Sequence, residues 1–272
     1  MIYLVLATSF LWLFWFSERY AWWGKTLDLR RARVLMYHMI KEPTPGAKFN
    51  GLRVSPDLFE QQVRWLSEGG WRFVTMSELA DQPPSDKVVA ITFDDGFEDN
   101  YLNAFPILKK YNAKATLYLV VDRHDRDWSV SKKSHHNSGE LKNESKLSDE
   151  QIREMLASGV FELGGHTMTH ANLAKLNEAD KYNEIAASKE HLESLFSCQL
   201  SSFAYPFGIY NHQIDPQLVK KAGFESAVTT EDGIPLDVQT SLYELPRIKI
   251  SGKDGFFAFK IRMRRSKRGL RK

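Results

Sequence analysis

Val88-Val89-Ala90-Ile91-Thr92-Phe93-Asp94-Asp95-Gly96, residues 88–96, decides the fold. Its first six residues are apolar or β-branched and carry no charge, so they read as a strand buried on both faces. Such strands belong to parallel sheets covered by helices. Two adjacent carboxylates follow at the strand's C-terminal end, where parallel sheets and barrels place their active sites. Side by side, Asp94 and Asp95 repel unless a cation or proton stabilises one of them. A metal held by one leaves the other free as a base. The ordinary alternative is an Asp-Gly turn.

The rest of the chain repeats a strand-then-helix alternation. Strands are expected at 34–38, 71–74, 115–121, in Phe161-Glu162-Leu163-Gly164-Gly165, before Pro206, and in the 224–230 and 243–250 stretches. Helices are expected at 55–70, where Ser55 caps and Pro56 takes the first position, and at 98–111, 147–159, 178–196 and 215–222. This pattern implies parallel strands with crossover helices, and permits either an open sheet or a closed barrel. Residues 122–147 are polar and aperiodic and read as a long surface loop.

A second cluster, His166-Thr167-Met168-Thr169-His170, follows another expected strand. Two imidazoles four residues apart lie on one face of a helical turn and can bind one ion. The glutamate that zinc peptidases carry after the first histidine is missing, so the base has to come from elsewhere, and Asp94 is available. One aspartate and two histidines leave an open position for water, the layout of a catalytic metal. His135 and His136 form a competing pair, read as solvated because they sit in the polar loop.

A third segment, Ala204-Tyr205-Pro206-Phe207-Gly208, also follows a strand. Thr92-Phe93-Asp94-Asp95-Gly96, then the His166–His170 cluster, then this segment, in that order, resemble the polysaccharide deacetylase family (carbohydrate esterase family four) over roughly residues 34–250. The resemblance implies an α/β fold, a distorted (β/α) barrel with fewer than eight regular strands, here with an N-terminal hydrophobic helix added. It implies removal of acetyl groups from sugars. Asp94 would be the general base, and Asp95, His166 and His170 would hold a divalent metal, zinc first, with cobalt, nickel or manganese as alternatives. The Phe207 amide would help stabilise the oxyanion. Where the family carries an arginine that pairs with the catalytic aspartate, this chain has Ala204; Arg247 is expected to restore the partner. The family's late histidine motif is also altered: residues 245–250 hold no histidine. His38 is a candidate acid or substrate contact; a structural, hydrogen-bonded histidine is the other reading. The substrate expected is an acetylated glycan, either a polysaccharide or a lipid-linked saccharide. The alternative is a catalytically silent saccharide-binding protein on the same fold.

Of the 272 residues, 43% are hydrophobic and 26% charged, as in ordinary globular proteins, which excludes disordered, collagenous and polytopic classes. The single cysteine, Cys198, excludes an intrachain disulfide and an all-cysteine zinc cluster. The net charge of +3 is unevenly spread. Residues 260–272 hold eight basic side chains and no acid, residues 1–33 are net basic, and the body between is acidic. That argues against a nucleic-acid partner and for ends that meet a membrane. Residues 1–23, with an apolar run over 1–16 and Trp22 and Trp23 beyond it, are expected to anchor the chain, a cleaved signal being the weaker reading. The expected organisation is thus an anchor at 1–23, a basic linker at 24–33, a catalytic domain at 34–253 and a basic amphipathic tail at 254–272. The positive charges that follow the anchor lean the body towards the cytoplasmic side.

Overall fold

The structure, a computed structural model, describes residues 2–20, 22–81, 86–133 and 139–266. His135 and His136 lie outside the described residues. The elements in chain order are α1 (Ile2–Tyr20), β1 (Arg33–Tyr37), β2 (Met39–Ile40), β3 (Arg53–Val54), α2 (Pro56–Glu68), β4 (Arg72–Val74), α3 (Met76–Asp81) and β5 (Val88–Asp94). They continue with α4 (Phe105–Lys110), β6 (Ala115–Leu119), α5 (Ser129–Lys132), α6 (Asp149–Ala157), β7 (Phe161–Gly165), α7 (Glu178–Phe196), β8 (Ser202–Ala204), α8 (Asp215–Lys221), β9 (Ser226–Asp232), β10 (Leu245–Lys249) and α9 (Phe256–Arg265).

Seven parallel strands close into a barrel in the order β1-β10-β9-β8-β7-β6-β5, with β1 pairing back onto β5. The two readings left open by the alternation, sheet or barrel, thus resolve to the barrel. β4 is an annexe rather than a stave. It takes one edge of β5 over Val88–Ala90, and β6 takes that edge over Ile91–Asp94. Alternation along the strands splits the core in two. Val34, Val88, Ala90, Tyr118, Ala204, Val228 and Leu245 pack together in one layer. Their neighbours Leu35, Tyr37, Val89, Ile91 and Phe93 pack in the larger layer with Phe59 and Val63 of α2. The first set faces the barrel interior and the second faces the helices. By the same parity Thr92 and Asp94 point inward, with Asp94 at the top of β5.

Local signals fix the helices. Ser55 accepts from the Leu58 amide at the start of α2, whose buried Phe59, Gln62, Val63 and Leu66 recur at helical spacing. Ser148 and Gln151 form a reciprocal capping box on α6.

Three expectations need correction. Residues 256–265 of the expected basic amphipathic tail are a packed part of the domain. They form α9, which buries Ala258, Phe259, Ile261 and Met263 and sets Phe259 against Trp65 of α2 at 5.8 Å. The buried Arg33 donates from Nε to the Met263 carbonyl at 2.8 Å, placing a cation at the helix's negative end. Arg262 pairs with Asp232 at 2.8 Å, so part of the basic charge is spent within the domain. Residues 267–272 lie outside the described residues.

The second correction is to the anchor. α1 ends at Tyr20 after Glu18 and Arg19, and Trp22 and Trp23 sit in the turn beyond it rather than prolonging the apolar run. No helix among the described residues is long and apolar enough to cross a membrane. Phe16 and Tyr20 instead meet Phe257 of α9, with ring centroids 5.6 and 5.3 Å apart.

The third concerns the 122–147 stretch. Its described residues are held against the rest of the domain rather than free on the surface. Asp127 accepts from the Ser129 and Gly139 amides, and the buried Arg53 pairs with Glu140 at 2.7 Å and Glu144 at 2.6 Å. Trp128, Leu141 and Lys146 are buried there.

One buried acid beneath this region has a measurable consequence. Asp99 accepts from the Ile40 amide at 2.6 Å and from Asn100 Nδ2 at 3.0 Å. Burial pushes its carboxyl up to about 7 from an ordinary 3.8. Between those values the folded state binds more protons than the unfolded state, so stability falls as pH rises through that window. Asp99→Asn keeps an oxygen for Ile40 and removes the charge. It is expected to flatten this dependence, with a gain on the order of a few kcal/mol at pH 8, read from denaturant unfolding at pH 5 and pH 8. An unchanged slope would rule out Asp99 as its source.

Candidate active site

The C-terminal ends of β1, β5, β7, β8 and β10 converge on one cavity. Its lining includes His38, Asp94, Asp95, Trp128, His166, His170, Phe207, Thr230, Lys132 and Lys249. The cavity holds about 300 Å³.

Asp95, His166 and His170 are all buried, and one ligand atom from each lies within 4.8 Å of the others. Asp95 Oδ1 stands 3.3 Å from His166 Nε2 and 3.2 Å from His170 Nε2. Those separations match the edge of a tetrahedron whose metal–ligand bonds are about 2.0–2.1 Å. His166 Nδ1 is 2.7 Å from the Ala204 carbonyl. A carbonyl can only accept, so Nδ1 carries the hydrogen and Nε2 presents its lone pair to the site. Asp95 Oδ1 is buried with no hydrogen bond among the described residues. An orphaned carboxylate oxygen facing two imidazole nitrogens is what a cation would satisfy, and the donor set suits a borderline divalent ion. Burial pushes the Asp95 carboxyl up, yet positive charge on His170 and His166, when they are protonated, outweighs it and holds the group well below its ordinary range; a bound cation would take over that role beside neutral imidazoles. Burial lowers His170 against the pull of Asp95, favouring the neutral, ligating imidazole.

The histidine pair is not helical, contrary to the sequence reading. Thr167 and His170 have φ of 68° and 56°, so the chain bends twice through the left-handed region. A spacing of four is common to a helical turn and to such a bend, and the dihedrals decide between them. Asp95 (φ 79°) and Phe207 (φ 60°) share this conformation. Left-handed backbone at non-glycine residues costs on the order of 1–3 kcal/mol each and clusters at functional sites. Gly96, at φ 77°, follows Asp95 directly, and an added Cβ would strike the Leu119 side chain.

Asp94 stands beside the triad and is held differently. Arg247, inward-facing and buried, donates from its two terminal nitrogens to the two carboxylate oxygens, each at 2.7 Å. It also donates to Thr92 Oγ1 at 2.9 Å and, through Nε, to the Thr229 carbonyl at 2.8 Å. Burial works against ionisation of Asp94, but the guanidinium overcomes it and keeps the carboxyl below its ordinary range. Ala204 on β8 carries no guanidinium; the one that braces Asp94 arrives from β10.

His38 follows β1, is half-buried and lines the cavity. Its backbone carbonyl accepts from Asn100 Nδ2 at 2.8 Å, while its ring makes no hydrogen bond among the described residues. Phe207 and Trp128 flank His170, with ring centroids 4.4 and 4.9 Å away. Thr230 Oγ1 donates to the Phe207 carbonyl at 3.2 Å.

Lys132 and Lys249 also line the cavity, and the sequence analysis does not single out either of them. For Lys249 a signal was present: it lies two residues beyond Arg247 on one strand, hence on the same face.

Comparison with known proteins agrees with this geometry. The family model described as polysaccharide deacetylase matches residues 81–227. The chain is 34% identical over 234 residues to YxkH of Bacillus subtilis, a protein named only provisionally as a polysaccharide deacetylase, covering 84% of this chain and 75% of that one. It is 30% identical over 242 residues to the poly-beta-1,6-N-acetyl-D-glucosamine N-deacetylase of Staphylococcus aureus, covering 81% of this chain and 79% of that protein. Among solved structures, BC0361, a polysaccharide deacetylase from Bacillus cereus, superposes with a TM-score of 0.72 at 30% identity, covering 86% of this chain and 69% of that one. With its motifs gathered in one cavity of a seven-stranded barrel, the chain belongs to the polysaccharide deacetylase family.

Proposed function

We propose that the protein hydrolyses N-acetyl groups from N-acetylhexosamine units of a polysaccharide or a lipid-linked saccharide, using a divalent ion, zinc first, held by Asp95, His166 and His170. The observation that carries this reading is the bidentate Arg247–Asp94 pair in the same cavity as the triad. It supplies an ionised carboxylate that is not itself needed as a metal ligand. When bound, the ion supplies Lewis acidity and a more acidic water. Asp94, its oxygens fixed by Arg247, takes a proton from the attacking water as general base. The Phe207 amide donates to the oxygen that becomes negative, and His38 delivers a proton to the departing amine. Trp128 and Phe207 wall the side of His170 and exclude water from the acetyl methyl. A silent binding protein would have no use for an ionised, guanidinium-braced Asp94 beside a complete ligand set.

The same proposal seats the enzyme against a bilayer through α1. Phe10, Leu11, Trp12, Leu13, Phe14 and Trp15 are all exposed there. Basic residues follow at positions 25, 30 and 31. An apolar helix next to cations suits an anionic interface.

The test is acetate release from N-acetylglucosamine oligomers, with and without a chelator, assayed separately on membrane pellet and supernatant. Chelator-sensitive release in the pellet is expected. Asp95→Ala should lose both bound metal and activity. Full metal content in that variant would refute the ligand assignment, and activity confined to the supernatant would refute the membrane placement.

A further inference from the structure

β10 presents its inward-facing side chains in layers from the barrel floor to its mouth. Leu245 packs in the interior apolar layer, Arg247 braces Asp94, and Lys249, the next inward position, lines the cavity. Lys132, the last residue of α5, lines it too. Neither lysine makes a salt bridge among the described residues. Asp232, near Lys249, is occupied: it accepts from Arg262 at 2.8 and 3.1 Å and from the Lys249 amide at 3.2 Å.

The carboxylates of the lining do not balance these cations either. Asp94 is matched by Arg247, and Asp95 faces the two histidines. Lys249 is half-buried, and burial pulls its amine below the ordinary range. Lys132, Arg247 and Arg262 push the same way against Asp232, so the two lysines sit within each other's field. A partly desolvated ammonium beside other cations is costly unless an anion joins it. No carboxylate among the described residues forms a salt bridge with either lysine, which leaves the ligand to bring that anion.

We propose that Lys132 and Lys249 form an anion subsite within the active-site cavity, taking a carboxylate or phosphate that the glycan carries beside the acetamido group to be hydrolysed. This rests on the deacetylase reading and deepens it from acetylated glycan to anionic acetylated glycan. The same charges repel an ammonium, so a sugar next to one already deacetylated is disfavoured.

The test separates the subsite from catalysis. Chelator-treated full-length protein is titrated calorimetrically at low salt with neutral N-acetylglucosamine, with N-acetylglucosamine 1-phosphate, and with a disaccharide of glucuronic acid and N-acetylglucosamine. At least one charged ligand should bind about 10-fold or more tightly than the neutral sugar, as a desolvated charge pair implies. Which charged ligand gains tells phosphate from carboxylate. In the Lys132→Gln/Lys249→Gln double variant the charged-to-neutral ratio should fall to near one, and Lys249→Arg should largely keep it. Equal affinities in the wild type, or a ratio that survives the double variant, would overturn the subsite. Failure of the deacetylase reading looks different: no acetate from any substrate, with the binding ratio intact.

Discussion

An Asp94→Asn protein is expected to release acetate about 10²–10⁴-fold more slowly than the wild type while keeping its divalent ion. Asparagine is nearly isosteric and leaves one oxygen to accept from Arg247, but its amide turns a donor toward the second guanidinium nitrogen, so some stability is lost as well. What disappears is the negative charge and, with it, the capacity to take a proton. The three candidate ligands, Asp95, His166 and His170, are untouched. Steady-state acetate release and metal analysis on one preparation check both halves. A variant that still turns over at the wild-type rate would place the base elsewhere.

Arg247→Met is expected to cost about 3–5 kcal/mol of stability, because it strips the partner from a buried carboxylate. The loss reaches beyond Asp94, since Thr92 Oγ1 and the Thr229 carbonyl also accept from this guanidinium. Turnover should fall further than metal occupancy does. Arg247 touches Asp94 and none of the three candidate ligand atoms. Thermal unfolding, acetate release and metal content measured together decide the matter. Equal losses in rate and metal would mean that Arg247 supports the whole mouth of the barrel rather than the base.

The parts of the site legible in the sequence were those where a short chemical pattern ends a buried strand. Asp94 and Asp95 after 88–93, and His166 after Phe161–Gly165, open on one mouth because parallel strands share a direction. Arg247 was legible through the family resemblance: the family carries an arginine where this chain has Ala204, and another arginine sits on a later strand. Other features were hidden for physical reasons. The two left-handed residues at Thr167 and His170 leave no trace in residue spacing. α9 was masked because Arg262, Arg264 and Arg265 interleave with the apolar face that it buries, so composition reads as a solvated tail. Trp128 looked like part of a polar loop because what pins that loop, Arg53 to Glu140 and Glu144, is distant in sequence.

The ring of strands shuts only when β1 meets β10 as well as β5, so its first and last staves are neighbours. A ribosome delivers them more than 200 residues apart. Until residue 247 has emerged, Asp94 has no counter-charge and its burial is unfavourable. The nascent chain therefore cannot hold a buried, arginine-braced Asp94 until the last stave of the barrel has joined the first.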